Sequence, residues 1–194
     1  PDNAVSMEDL AHEATFADPD ERPEGMKDGI SLVGRARFDS QEAEVPDPKG
    51  SLSHGYTWGC LAIVVDVDPT TGEIDIVDVA ISEDVGKAIN PKMIEGQTQG
   101  AIVQALGEVL LENYDYDGSG NLTNGSLVDY HLPTAKDVPH ITKIDEVETP
   151  DPTTSHGQKG VGECPLVPVP AAVANAVADA TGIRFTELPL TPDR

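Results

Sequence analysis

The sequence is short of basic side chains, aromatic rings, cysteine and long apolar runs, and each shortage excludes something. Only 12 Lys and Arg stand against 35 Asp and Glu, a formal net charge of −23 over 194 residues. Nucleic-acid binding needs a surplus of cations to neutralise phosphates, so nucleic acid is excluded as a main partner. An anionic membrane surface is excluded on the same electrostatic ground. Two cysteines, Cys60 and Cys164, are too few for an iron–sulfur cluster, which takes about four thiolates. Far apart in the sequence and outside any Cys-x-x-Cys spacing, they do not make a disulfide scaffold either. No apolar run approaches the ~18–20 residues of a membrane span and no basic-then-apolar leader is read, so a reduced cytoplasm is the expected compartment.

With 38% hydrophobic residues a core is available, but three Phe, one Trp and four Tyr leave it to be built from Val, Ile, Leu and Ala. The acidic excess is what a cytoplasm at high salt favours, where an acidic surface holds water and salt screens the self-repulsion. A halophilic source is therefore expected. Residues 1–54 read as an extended, linker-like segment with one short helix near Ser6–Phe16, where Ser6 and Asp9 are spaced like a capping box. Runs rich in Pro, Asp and Glu at 18–29 and 45–50 suit a chain crossing the surface of something larger, and the segment reads as continuing from an upstream part. Residues 55–194 read as the folded domain.

Within it, Cys60–Val67 and Glu73–Ile81 are β-branched runs joined by Asp68-Pro69-Thr70-Thr71-Gly72, which predicts a hairpin. A long helix follows from Asn90-Pro91 to about Glu112, with Asn as cap and Pro in the first turn. Ile94, Ala101, Val109 and Leu110 give it an apolar stripe; Gln97, Gly100, Gln104 and Gly107 form a second. Each Gly inside a helix costs about 1 kcal/mol relative to Ala. Two uses for that stripe are open: tight packing on the sheet, or close approach of a ligand.

Asp115-Tyr116-Asp117-Gly118-Ser119-Gly120 begins like a calcium loop, but its twelfth position is Ser126 where a bidentate Glu is required, so a polar turn is the expectation. Leu127–Leu132 and Ile141–Glu148 read as strands. A helix over Pro168–Thr181 and a strand over Ile183–Leu188 complete the domain.

The sharpest local signal is His156-Gly157-Gln158-Lys159-Gly160-Val161-Gly162-Glu163-Cys164-Pro165. Its glycines leave main-chain N–H groups free to face a ligand, with the positive end of the following helix behind them. Glu163 closes the loop. A carboxylate held in a pocket serves as a general base; the other reading places Glu163 in the first helical turn, where acidic residues are common.

Four segments taken together, Ile89-Asn90-Pro91, Glu95–Gln104, Gly125–Pro133 and Lys159–Glu163, resemble the molybdenum hydroxylases, the family of xanthine dehydrogenase, aldehyde oxidoreductase and aerobic carbon monoxide dehydrogenase. The resemblance runs over about residues 55–194 and places the chain at the C-terminal end of the large, molybdopterin-binding subunit. It implies an α+β fold, a mixed β-sheet with two main helices forming the second molybdenum-cofactor-binding domain. It gives Glu163 the part of the catalytic base, acting on a Mo-bound hydroxyl. Oxygen derived from water then enters an electron-poor carbon of an aldehyde or N-heteroaromatic. Gln97 matches the glutamine beside the metal centre. Gly100 and the Lys159, Gly160, Val161 and Gly162 backbone match positions lying against the cofactor.

The implied cofactor is molybdenum held by molybdopterin, with a cytosine dinucleotide form among its variants, and no protein side chain ligates the metal. The implied partners are the rest of the large subunit, an iron–sulfur subunit and a flavin subunit carrying FAD, besides the small-molecule substrate. Upstream loops of the family are not in these 194 residues, so the chain alone is expected to be catalytically incomplete. Cys164 departs from the proline or small residue common after the base; it is either a pocket-facing residue or an inert small hydrophobe. A scaffold domain of the same fold without cofactor is the alternative function.

Overall fold

The computed structural model describes residues 6, 8, 9, 12, 18, 20, 35–37 and 55–192. The chain divides into two compact units, Pro1–Asp39 and Ser40–Arg194. In the first, the Asp9 N–H donates to Ser6 Oγ at 3.0 Å, the first bond of a capping box, while the return bond comes from the Ser6 hydroxyl, which donates to Asp9 Oδ2 at 2.7 Å. The 45–50 run and all of 18–29 except Asp18 and Asp20 lie outside the described residues.

In the second unit the hairpin forms as expected. Strand β1, Gly59–Val67, pairs antiparallel with β2, Ile74–Asp84. The connecting turn is closed by Gly72 N–H to Asp68 O at 2.8 Å and by Thr70 N–H to Asp68 Oδ1 at 2.7 Å, so Asp68 is a turn residue. β1 keeps one parity throughout, with Leu61, Ile63, Val65 and Val67 directed to the core. β2 does not. Val64 pairs Asp78 while Val65 pairs Ile76, leaving Val77 as an extra residue in β2. This bulge exchanges the faces: Ile74 and Ile76 point inward before it, and Val79, Ile81 and Glu83 after it. The third strand, β3 at His140–Val147, adds parallel to β2 and gives the order β1-β2-β3.

Helix α1 spans Pro91–Leu110 and α2 spans Val169–Thr181. Asn90 caps α1 by accepting the Met93 N–H at 3.2 Å on Oδ1. Helix α2 has Val169, Val173 and Val177 at four-residue intervals, one buried stripe that lies on β1 and against α1. It ends at Gly182, whose φ of 75° is a left-handed conformation open to glycine. The core is Val79, Ile81, Ile102, Ala105, Leu106, Val109, the three α2 valines and Leu190, aliphatic throughout. The fold is thus α+β, a mixed three-stranded sheet with two helices.

Two expected strands are not strands. Over Leu127–Leu132 the Ser126 carbonyl accepts the Asp129 and Tyr130 N–H groups at 3.0 and 2.8 Å, so a Ser-Asp turn winds up the backbone before it pairs. Over Ile183–Leu188 the chain has no ladder partner among the described residues. It is held by the side chain of Phe185 against the core and by Leu190 N–H to Val109 O at 2.6 Å. The Asp115–Gly120 segment is a polar turn: Asp117 Oδ1 accepts the Ser119 and Asn121 N–H groups at 2.8 and 2.9 Å.

Candidate functional site

The end of β2, the first half of α1 and the loop leading to α2 converge on one edge of the domain. Two chain segments cross there: Lys87 N–H donates to Gly157 O at 2.7 Å and Lys159 N–H to Val85 O at 3.0 Å. The crossing depends on Gly86, with φ of 65°, because a Cβ there would lie 2.9 Å from the Lys159 nitrogen. Beneath the crossing, Lys159 Nζ is 2.6 Å from Asp84 Oδ2, with the two side chains 10% and 13% exposed. Burial pushes the Asp84 carboxyl up, yet Lys159 and the N–H groups of Gly86 and Thr149 outweigh it and hold the pKa below the ordinary aspartate value. Lys159 is therefore turned inward by both its ammonium and its N–H, as a tether for the loop.

Beyond Lys159 the loop turns out. The N–H groups of Gly160, Val161, Gly162 and Glu163 donate to no acceptor among the described residues, while the Gly160 carbonyl accepts the Thr57 hydroxyl at 2.7 Å. Gln97 lies beside this run, its Nε2 3.7 Å from where a Cβ on Gly162 would sit. On the same open face of α1, a Cβ at Gly96 or Gly100 would meet nothing within 4 Å. So Gln97 and the Gly160–Glu163 backbone border one exposed shelf, with Gly100 about one turn further along α1. Tight packing holds for Gly107 alone of the helix glycines, and against a loop, since a Cβ there would fall 2.7 Å from Pro133 Cγ.

Glu163 is exposed and precedes α2, which begins at Val169, so it does not occupy that helix's first turn; its carbonyl accepts the Leu166 N–H at 3.1 Å. Cys164, half-buried, has its Sγ 3.4 Å from where a Gly59 Cβ would lie. Burial and the nearby Glu83 push its thiol pKa up, which disfavours the reactive thiolate and suits a small hydrophobe.

Sequence reasoning missed Glu83, 1% exposed beneath this shelf and in hydrogen-bond contact through Oε1 with the hydroxyl of Thr98. Burial raises its pKa, the Thr98 bond lowers it, and Glu146 raises it again, with an upward net shift. The available signal was phase: continuing Val79 and Ile81 by two residues reaches Glu83, past the expected end of the strand at Ile81. Among the described residues no group of three or more His, Cys, Asp and Glu is placed to hold a metal ion, and no helix is long and apolar enough to cross a membrane.

The shelf fits an anionic, hydrogen-bonding cofactor. It offers four free backbone donors in a row, a glutamine amide and open space above two helix glycines, without a charge of its own beyond Glu163. Comparison with known proteins agrees. The family described as molybdopterin cofactor-binding domain matches residues 2–139. The large subunit of nicotine 6-hydroxylase from Paenarthrobacter nicotinovorans is 36% identical over 196 residues, covering 100% of this chain and 22% of that protein. A putative xanthine dehydrogenase molybdenum-binding subunit of Escherichia coli is 37% identical over 138 residues, 71% of this chain and 18% of that one. In the crystal structure of quinoline 2-oxidoreductase from Pseudomonas putida 86 the likeness has a TM-score of 0.63 at 41% identity, over 67% of this chain and 17% of that one. The chain spans about a fifth of the length of these relatives. Its sequence and its fold agree in placing it in the molybdopterin cofactor-binding domains of the xanthine dehydrogenase, aldehyde oxidoreductase and carbon monoxide dehydrogenase family, toward the C-terminal end of the large subunit.

Proposed function

We propose that residues 55–194 furnish the base and part of the cofactor cradle of a molybdenum hydroxylase that oxidises an N-heteroaromatic or an aldehyde. The observation that carries this reading is the shelf: Gln97 and four unengaged N–H groups at Gly160–Glu163 meet along one edge that ends in an exposed carboxylate, with Gly100 about one turn further along α1. Gln97 and the Gly160, Val161 and Gly162 amides hold the cofactor by hydrogen bonds, and Gly100 lets it approach α1. Lys159 keeps the loop at its height by bonding Asp84. When bound, molybdenum on its pterin accepts the two electrons of the oxidation. Glu163 takes up, at its carboxylate, the proton released from water as water-derived oxygen bonds to the substrate carbon. Overall, a C–H bond and one water give a C–OH group, two protons and two electrons.

Those electrons need a route onward, so an iron–sulfur and a flavin partner with FAD belong to the proposal, as does a cytosine dinucleotide form of the pterin. The relatives named for nicotine and quinoline favour the N-heteroaromatic class of substrate over aldehydes. A cytoplasmic, high-salt setting accounts for the net charge of −23.

The test is Glu163→Gln in the full-length enzyme with its partners. Molybdenum content is expected to be retained while kcat falls by about 10²–10⁴-fold, the usual worth of a general base. Normal turnover in that variant removes Glu163 from the reaction. A purified native assembly devoid of molybdenum and pterin favours the scaffold alternative instead.

A further inference from the structure

The function proposed above leaves Glu83, the most deeply buried carboxyl of the described residues, without a task. It sits near the end of β2, in register with Gly59 on β1 and Glu146 on β3. Oε1 is in contact with Thr98 Oγ1, and Oε2 is buried without a hydrogen-bond partner. Thr98 Oγ1 is also 2.9 Å from the Ile94 carbonyl oxygen. A hydroxyl has one proton to give, and a carbonyl and a carboxylate only accept. Thr98 therefore does not satisfy both neighbours if Glu83 is ionised. With a proton on Glu83 the bonds run in sequence: the carboxyl O–H donates to Thr98 Oγ1, and Thr98 donates to the Ile94 carbonyl.

The surroundings agree. The titratable groups facing Glu83 are Glu146 from β3 and Cys164 from the loop, while α1 offers Thr98 and β1 offers Gly59. No cation is among them, and burial disfavours the ionised form further. The position is also strategic. Thr98 is the residue after Gln97, and Cys164 is the residue after Glu163. Glu83 bonds the first and shares with the second the space above Gly59, where a Cβ would lie 3.4 Å from Cys164 Sγ and 3.9 Å from Glu83 Cβ.

We propose that Glu83 is a positioning residue that keeps its proton, donates it to Thr98, and so fixes the spacing between the cofactor-holding Gln97 and the base Glu163. The role assigned to those two residues rests on the function proposed above; the protonation of Glu83 does not. It acts through its neighbours and touches neither substrate nor cofactor.

The first test is infrared spectroscopy of the full-length, cofactor-loaded enzyme with ¹³C-labelled glutamate. Subtracting Glu83→Gln from the parent at neutral pH is expected to reveal the carbonyl stretch of one protonated carboxyl. A difference spectrum containing only carboxylate bands overturns the proposal. The second is kinetic: Glu83→Leu is expected to lower kcat about tenfold or more with KM little changed and molybdenum retained, the effect of a small misplacement of reacting groups. Glu83→Gln, which keeps a neutral side chain of the same shape, is expected to restore most of that loss. A kcat for Glu83→Leu within twofold of the parent overturns the proposal, as does a Glu83→Gln no faster than Glu83→Leu. Should Glu83→Leu not assemble, Thr98→Val deletes the same bond and carries the same expected loss of kcat and the same overturning result. Failure of the base assignment is separate: undiminished turnover in Glu163→Gln, with the infrared band still present.

Discussion

The two halves of helix α1 use glycine for opposite purposes. In the second half Gly107 exists because Pro133 occupies the place of its side chain, with Cγ and Cδ 2.7 and 2.8 Å from where a Cβ would be. In the first half Gly96 and Gly100 have nothing within 4 Å, so nothing in the described chain requires them. Each forfeits about 1 kcal/mol of helix propensity. At Gly107 internal packing offsets that cost; at Gly100 the offset has to come from outside, which is the place given to the cofactor. The same residue type on one stripe thus marks packing at one end and open space at the other.

The contrast breaks most readily at the tether of the shelf. Lys159→Met in the full-length enzyme leaves Asp84 buried without its cation, and should cost about 3 kcal/mol or more in stability together with molybdenum content. An unchanged melting temperature and metal content would mean the loop is held by something else. Next, Gly107→Ala should destabilise by about 1–3 kcal/mol, because Pro133 and its backbone have to move. Gly100→Ala should act with the opposite sign, raising stability by up to about 1 kcal/mol while lowering molybdenum content. If thermal melts of the two variants shift in the same direction, the halves of α1 do not differ as described.

The finest effect lies in the pH profile. Glu83 has its folded-state pKa raised above the ordinary glutamate value of 4.5. The unfolded chain then releases this proton at lower pH than the folded one. Relative to Glu83→Gln, the parent should keep constant stability below about pH 4.5 and lose it as pH climbs from there toward the folded pKa. Melting temperatures of both proteins across that range check the sign, and a difference rising with pH would contradict it.

Much of this was legible in local chemistry. Asp68 and Gly72 specified the hairpin turn and Asn90-Pro91 the start of α1, because each acts within a few residues of itself. Gln97 and the Gly160–Gly162 loop came from patterned segments, and the structure brings them to one edge. What escaped depended on distant partners. Leu127–Leu132 has strand-like composition, but Ser126 and Asp129 wind it into a turn. Ile183–Leu188 is extended but joins no ladder among the described residues, and the chain just after it is tied by the Leu190 N–H to Val109 O near the end of α1. Lys159 looked like a cofactor contact by its place in the loop; only the fold reveals that its ammonium faces Asp84.

The extra residue at Val77 has a consequence for comparing chains. Side-chain direction in a strand is a matter of odd and even, and one inserted residue inverts the parity of everything after it. A relative without that residue, aligned here by a one-residue gap, keeps Val79, Ile81 and Glu83 inward, because plain alternation then runs from Ile76 inward through Asp78 outward to Val79 inward. A relative that keeps the residue but pairs without the bulge turns Ala80 and Ser82 inward instead. That change exchanges the buried acid beneath the shelf for a serine with no gap in the alignment to announce it, so strand pairing, and not residue count, decides whether two members of the family share the same inner chemistry.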